Sequence, residues 1–242
     1  MKIAIISDIH ANHTALTAVI AHARAQGVDQ FLCLGDIVGY GPDPAQCVSE
    51  IQALGCPVIR GNHDHDAASD RVLHNLNDVA RTSLEWTRKQ LSGPQRAYLG
   101  NLPFIRRIGR FSIAHSSLFE PEVWHYVRGL QDAEHCLTLQ DVPLCFIGHT
   151  HRPGYFEKIG DGVTHDTEPG SHVLAENART LVNVGSVGQP RNGDPRASYV
   201  IFDRLHRSIE FQRVAYQVQA TQQRLMAHGL PQELIERLTE AA

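Results

Sequence analysis

Five short stretches of this chain carry residues able to bind a metal or move a proton: Asp8-Ile9-His10, Gly35-Asp36, Gly61-Asn62-His63-Asp64, His115 and Gly148-His149-Thr150-His151. Taken singly, each reads as an ordinary turn or a satisfied structural histidine. They share one feature, however: each follows a short apolar run, at residues 3–6, 31–34, 58–59, 111–114 and 144–147. In open α/β sheets ligands bind at the carboxyl ends of the strands, so groups distant in sequence converge on one rim. Asp8, His10, Asp36, Asn62, His115, His149 and His151 then form an oxygen-and-nitrogen donor set without thiolate, suited to Mn, Fe, Zn, Co or Ni. That is too many donors for one ion with an open position. It suits two ions sharing a carboxylate, the arrangement that clamps both the attacking and leaving oxygens of a displacement at phosphorus.

The elements that must position these residues follow a clear rhythm. Leu16, Val19, Ile20 and Ala23 recur at helical spacing between the first two runs, with Gly27 as a stop. Pro44 opens a second helix with Cys47, Val48, Ile51 and Leu54 inward and Gly55 at its end. Alternating strands and helices imply βαβ units and a largely parallel sheet. Residues 66–102 read as a polar, mostly helical insertion, with Leu84, Trp86 and Leu91 as its apolar stripe, able to overhang the site. Beyond residue 153, segments 155–159, 180–184, 198–202 and 208–214 read as strands joined by short turns, hence antiparallel. Two helices are expected over residues 217–242, separated at 229–231. The whole of 1–242 reads as a single domain.

Composition narrows the function classes. Lys plus Arg is 22 and Asp plus Glu is 26, a net charge of -4, so a broad nucleic-acid or membrane surface built from side chains is disfavoured. Bound cations would supply the positive charge that this count omits. The five cysteines include no CxxC pair, which points to a reducing cytoplasm and small buried thiols. Ser7 and Asp8 end the first apolar run far short of a signal-peptide core, and no stretch has the length of a membrane span.

Asp8-x-His10, Gly35-Asp36-x-x-Gly39, Gly61-Asn62-His63-Asp64, His115 and Gly148-His149-x-His151, in this order, resemble the full signature of the calcineurin-like metallophosphoesterase superfamily. The stretch from Asn183 to Arg191 resembles the closing loop of small bacterial single-domain members, the branch that includes phosphodiesterases and diadenosine tetraphosphate hydrolases. The resemblance implies a four-layer α-β-β-α sandwich, two mixed β-sheets flanked by helices. It implies one metal on Asp8, His10, Asp36 and His151 and a second on Asp36, Asn62, His115 and His149, with Asp36 bridging. The implied cofactors are two divalent transition ions, manganese first among them, and the implied nucleophile is a hydroxide they share. His63 would serve the leaving-group oxygen with Asp64 orienting its ring. Asn62 and Arg191 would touch the substrate phosphate, although Arg191 also reads as a surface turn residue after Pro190.

The implied substrate is a small phosphodiester or nucleotide-type ester. Asymmetrical dinucleoside polyphosphate hydrolysis and protein phosphatase activity are alternatives within the same chemistry. A non-catalytic scaffold with this fold is the alternative from another class. The family's protein phosphatases and symmetrical dinucleoside hydrolases extend the second motif to Gly-Asp-x-x-Asp-Arg-Gly; here Gly39-Tyr40-Gly41 stands instead, which weakens those readings. Ala11 stands where relatives often carry glycine. His13 and His65 adjoin site residues and are candidates for the cleft wall, and Tyr40 is either a loop anchor or a base-stacking residue.

Overall fold

The computed structural model describes residues 1–71, 73 and 76–242; residues 72, 74 and 75, within the expected 66–102 insertion, lie outside the described residues. The first part of the chain forms β1 (Lys2–Ile6), α1 (His13–Ala25), β2 (Gln30–Cys33), α2 (Pro44–Leu54), α3 (Asn62–Ala68), α4 (Asp78–Gln90), α5 (Gly93–Gly100), β3 (Ile105–Ile108), β4 (Phe111–Ala114), α6 (Leu130–Leu139) and β5 (Leu144–Ile147). There follow β6 (Gly154–Ile159), β7 (Gly162–Asp166), β8 (Gly170–Val173), β9 (Arg179–Asn183), β10 (Ala197–Asp203), β11 (Ser208–Val214), α7 (Val218–Ala227) and α8 (Gln232–Glu240).

The strands form two mixed sheets, ordered β2-β1-β10-β11-β8 and β3-β4-β5-β9-β6-β7. The pleat explains the layering, because alternate residues of one strand face opposite sides. Ile3 and Ile5 of β1 join Phe111, Phe146, Val200 and Phe202 in the core between the sheets. Ala4 and Ile6 face the other way, onto Leu16, Val19 and Ile20 of α1 and Val48 and Ile51 of α2. On the far sheet, Ala114, Cys145 and Leu181 pack on Ala133, Cys136 and Leu137 of α6. Every one of these apolar side chains is buried, each contributing about 1.5–3 kcal/mol for the larger aliphatics. The result is helix, sheet, sheet, helix.

Three expectations are corrected. Residues 58–59 form no strand; Val58 makes one isolated parallel bridge to Cys33, because Pro57 and Gly61 leave too short a run. The sheet is not largely parallel: β1–β2, β4–β5 and β5–β9 are parallel, and the other pairs are antiparallel. For the same reason β9 does not belong to a purely antiparallel second part. Strands β3, β7 and β8 carried no apolar signal, since they are edge or near-edge segments with mostly exposed side chains. Their pairing comes from the neighbouring strand's hydrogen bonds.

Helices α7 and α8 fold back over the carboxyl ends of the first sheet. The Asn12 side chain donates to the hydroxyl of Tyr216 and accepts from Thr221 of α7. Arg224 of α7 forms an ion pair with Asp43, the buried residue that precedes α2. No helix among the described residues is long and apolar enough to cross a membrane.

Candidate metal centre and active site

The strand ends converge because parallel pairing continues past the strands themselves. Beyond β1 and β2, the amide of Asp8 donates to the carbonyl of Gly35 at 3.0 Å and that of His10 to the carbonyl of Asp36 at 2.9 Å. Beyond β4 and β5, the Gly148 amide donates to the His115 carbonyl at 2.8 Å. The two sheets are tied together at the rim where the His149 amide donates to Asp8 Oδ2 at 2.9 Å. The loop after β9 closes the ring, with Ser186 Oγ donating to the Asp8 carbonyl at 2.7 Å. Close approach explains Gly61, where a Cβ would collide with the Asp36 carboxylate.

The rim is strained. Asp8, His10, Ala11, Asp36, Tyr40, His149 and His151 all have left-handed backbone, with φ between 47° and 66°. Each such non-glycine residue costs about 1–2 kcal/mol, and this concentration is characteristic of functional sites. The φ of 51° at Ala11 is a conformation that glycine adopts without this cost.

The ring nitrogens show how the histidines are held. His10 Nδ1 donates to the Val38 carbonyl at 3.2 Å, His115 Nδ1 to Leu34 at 2.8 Å and His151 Nδ1 to Gln189 at 2.5 Å. A backbone carbonyl on Nδ1 leaves Nε2 free to bind a metal, and such second hydrogen bonds typify metal-ligating histidines. The Nε2 atoms of His10 and His151 then face each other at 3.0 Å. Asp8 Oδ1 lies 3.2 Å from His151 Nε2 and 3.8 Å from His10 Nε2. Asp36 Oδ2 lies 3.6 Å from His10 Nε2 and 3.3 Å from His115 Nε2, within reach of both groups. Asp8, His10 and His151 form one cluster and Asp36, His115 and His149 another, donor atoms within 4.8 Å of one another. Asp8 Oδ1, Asn62 Oδ1, His115 Nε2 and His149 Nε2 are buried without a hydrogen-bond partner. Buried polar atoms are rarely left so. Donors about 2.0–2.2 Å from a shared cation would satisfy all of them.

Among these side chains charge and burial compete. Burial raises the Asp8 carboxyl, but His151 and His115 outweigh it and hold Asp8 below the usual carboxylate range. Burial likewise opposes ionisation of Asp36, yet the surrounding histidines, His115 first, keep it well below that range. Burial would depress His115, but Asp36 and Asp8 lift it to about 9. Burial dominates at His149, lowered to about 3, and at His63, lowered to about 4.

His63 lies at the start of α3, its amide donating to Asp36 Oδ1 at 2.8 Å. Its ring packs against His10 and Tyr40 at 4.8 and 4.4 Å, and one of its nitrogens comes within 4.8 Å of His10 and Asp36 donor atoms. Asp64 does not hold this ring, contrary to the sequence expectation. Its carboxylate accepts the backbone amides of Ile37, Val38 and Gly61, while His63 Nδ1 is buried without a partner. The reason is direction: on α3 the Asp64 side chain turns back to cap the helix and brace the Asp36 turn. Burial lifts this carboxyl to about 7.

A cavity of about 200 Å³ opens over these groups. Asp36, Asn62, His63, His149 and His151 line it, as do Tyr40 and Arg191. Leu76, Asn77 and Ala80 form one wall. Arg191 is held by Gln189 Oε1 at 2.9 Å and points into the cavity wall, not to the surface alone. The Tyr40 ring packs at a tilt against His10 and His63, 4.7 and 4.4 Å away. His13 pairs with Glu50 at 3.8 Å and His65 contacts Arg60; neither lines the cavity. Sequence reasoning missed Tyr126, which stacks on His149 with ring centroids 4.1 Å apart. A lone aromatic in a loop carries no signal for that role.

Residues 1–206 match the calcineurin-like phosphoesterase superfamily domain. The chain belongs to that superfamily. Among its relatives, a metallophosphoesterase from Sphaerobacter thermophilus superposes with a TM-score of 0.88 at 38% identity, covering 100% of this chain and 99% of that one. An uncharacterized protein of Methanocaldococcus jannaschii is 36% identical over 241 residues, 98% of this chain and 96% of its own. A hypothetical protein from Pyrococcus horikoshii shares the fold, with a TM-score of 0.80 at 21% identity over 100% of this chain and 98% of that one. The four-layer architecture is thus that of calcineurin-like phosphoesterases, and the strand-end cluster occupies its rim.

Proposed function

We propose that this protein is a dinuclear metal-dependent phosphoesterase acting on small phosphodiester or nucleotide-type substrates. The observation that carries the reading is the approach of His10 Nε2 and His151 Nε2 to 3.0 Å, both rings holding a carbonyl through Nδ1. Two neutral rings so placed would set their lone pairs against each other, a repulsion that a proton or a metal cation between them relieves. Asp8, His10, Asp36 and His151 would hold one ion and Asp36, Asn62, His115 and His149 the other. Two divalent transition ions, manganese first among the candidates, would supply Lewis-acid polarisation at phosphorus and activate water for attack.

The remaining roles belong to the chain's own side chains. Arg191, whose buried Nε lacks a partner, orients phosphate oxygens through its planar fork. Asn62 completes the oxygen contacts at the cavity floor. His63 gives a proton to the leaving oxygen; burial keeps the ring neutral at pH 7, and an anion seated in the cavity favours its charged form. Asp64 braces the loop that carries Asp36 and does not touch the reacting atoms. Tyr40 packs at a tilt against the His63 ring, and Tyr126 stacks on that of His149.

The test is turnover of bis(p-nitrophenyl) phosphate with and without chelator, with Mn, Fe, Zn, Co and Ni in turn, alongside elemental analysis. Metal-restored turnover with two equivalents bound supports the proposal. No turnover of this or other small esters with any of these metals would sink it.

A further inference from the structure

A second hollow lies beside the proposed active-site cavity, and its chemistry is that of an anion site. It encloses about 660 Å³ and is lined by Arg128, Arg152, Arg191 and Arg213, with Thr150 between them. Arg191 stands in the wall of both hollows. Thr150 and Arg152 alternate along the chain with His149 and His151, so each is one residue, about 3.8 Å, from a cavity histidine. Arg128 lies over the outer face of Tyr126, 4.1 Å from its ring centroid, and Tyr126 stacks on His149. The two hollows therefore meet along one wall.

The charge of this second hollow is not internally answered. Among the described residues, Arg128, Arg152 and Arg191 form no ion pair. Arg213 faces Asp194 at 3.8 Å, but that carboxylate is already engaged by Arg196 at 2.7 Å. The one glutamate in the wall, Glu240, is exposed at the end of α8. In a chain of net charge -4, four guanidinium groups gathered in one wall, with Glu240 as its one carboxylate side chain, make a local excess of positive charge.

We propose that this hollow binds a second phosphate of the substrate, so that the preferred substrate class is a phosphodiester carrying a further phosphate on its alcohol portion. The proposal rests on the phosphoesterase reading for the word substrate, but the anion site itself does not. Planar guanidinium forks suit phosphate oxygens, and Arg191, shared by both hollows, bridges the scissile and the distal group. A neutral or singly phosphorylated ester leaves Arg128 and Arg152 solvated, without a partner.

Two chromogenic esters isolate the effect: thymidine 5′-(p-nitrophenyl phosphate) and the same compound with a 3′-phosphate. In both, water adds to the 5′ phosphorus, the bond to the aryl oxygen breaks, and p-nitrophenolate leaves as a proton is released. They differ only in the distal group. With the manganese-loaded protein, the 3′-phosphorylated ester should show a KM about tenfold lower, the magnitude for charge-assisted bonds partly screened by solvent. Arg152→Gln, and separately Arg128→Gln, should erase most of that preference while leaving kcat/KM for the ester without the 3′-phosphate within about twofold. Calorimetry with thymidine 3′,5′-bisphosphate against thymidine 5′-monophosphate should give the same ratio independently of turnover. If neither ester is hydrolysed but the bisphosphate binds more tightly through Arg152, the phosphoesterase reading fails and the anion site stands. Equal KM values, equal or absent nucleotide binding, or a preference unchanged in both variants overturns the anion site.

Discussion

The carboxylate of Asp36 divides its work between two structures. Its Oδ1 accepts the backbone amide of His63 at 2.8 Å, anchoring the first turn of α3. Its Oδ2 faces Nε2 of His10 and of His115 at 3.6 and 3.3 Å. The group proposed to be shared by two ions therefore also sets where the proposed proton donor stands. Metal binding and the position of His63 are linked through one side chain.

Asp36→Ala should remove both functions together. Elemental analysis is expected to find fewer than two metal equivalents, and activity should fall to background. Loss of the buried amide's acceptor adds a stability cost of about 1–3 kcal/mol, readable by denaturant titration. Full occupancy by two ions in this variant contradicts the bridging role.

His63→Ala should behave differently, keeping both ions while turnover falls about 10²–10⁴-fold, the range for a general acid. The loss should be smaller for esters whose leaving group needs no proton. Comparing p-nitrophenyl with alkyl leaving groups checks this, and identical losses on both would remove His63 from that role.

Gly39→Ala tests how the His63 ring is seated. Gly39 has φ of 85°, and a Cβ there would run into the imidazole of His63. The strain alone costs about 1–2 kcal/mol. Metal content should stay at two equivalents while kcat drops with the displaced ring. Wild-type kcat in a folded Gly39→Ala protein would show that the ring position does not matter.

Stability of chelator-treated protein should depend on pH from both sides. His115, raised to about 9, contributes stability that is fully present below pH 6.5 and is lost as pH rises through about 9. His149 and His63, lowered to about 3 and 4, act oppositely: the folded state binds fewer protons, so stability is lost as pH falls below 6.5. Thermal melts across pH 5–9.5 should therefore peak near neutrality and fall towards pH 9. Metal loading should remove the alkaline fall, because a ligated His115 no longer needs its proton. An alkaline fall of equal size with metal present counts against His115 as a ligand.

Much of the site was legible because its chemistry is local to each strand end. Asp8, His10, Asp36, Asn62, His115, His149 and His151 each sit in a short motif behind an apolar run, and strand ends gather on one rim by topology alone. The strands with alternating or continuous apolar residues were legible for the same reason, β4, β5 and β11 with their observed boundaries. Edge strands β3, β7 and β8 were not, since their side chains bury little and their stability is supplied by partners. The direction of Asp64 was also hidden. Adjacent residues on a helix point about 100° apart, so neighbouring His63 in sequence does not mean facing its ring.

The amino-acid sequence by itself determined which candidate donors exist, their order, and that all but Asn62 stand at strand ends, because residue type and apolar periodicity are properties of short segments. Only the tertiary structure decided which nitrogen of His10, His115 and His151 is free, that Asp36 lies within reach of two histidine groups, that Tyr126 covers His149, and that three loop arginines and Arg213 of β11 share one hollow. Those are relations between segments brought together by the packing of two sheets, and no single segment contains the distances on which they depend.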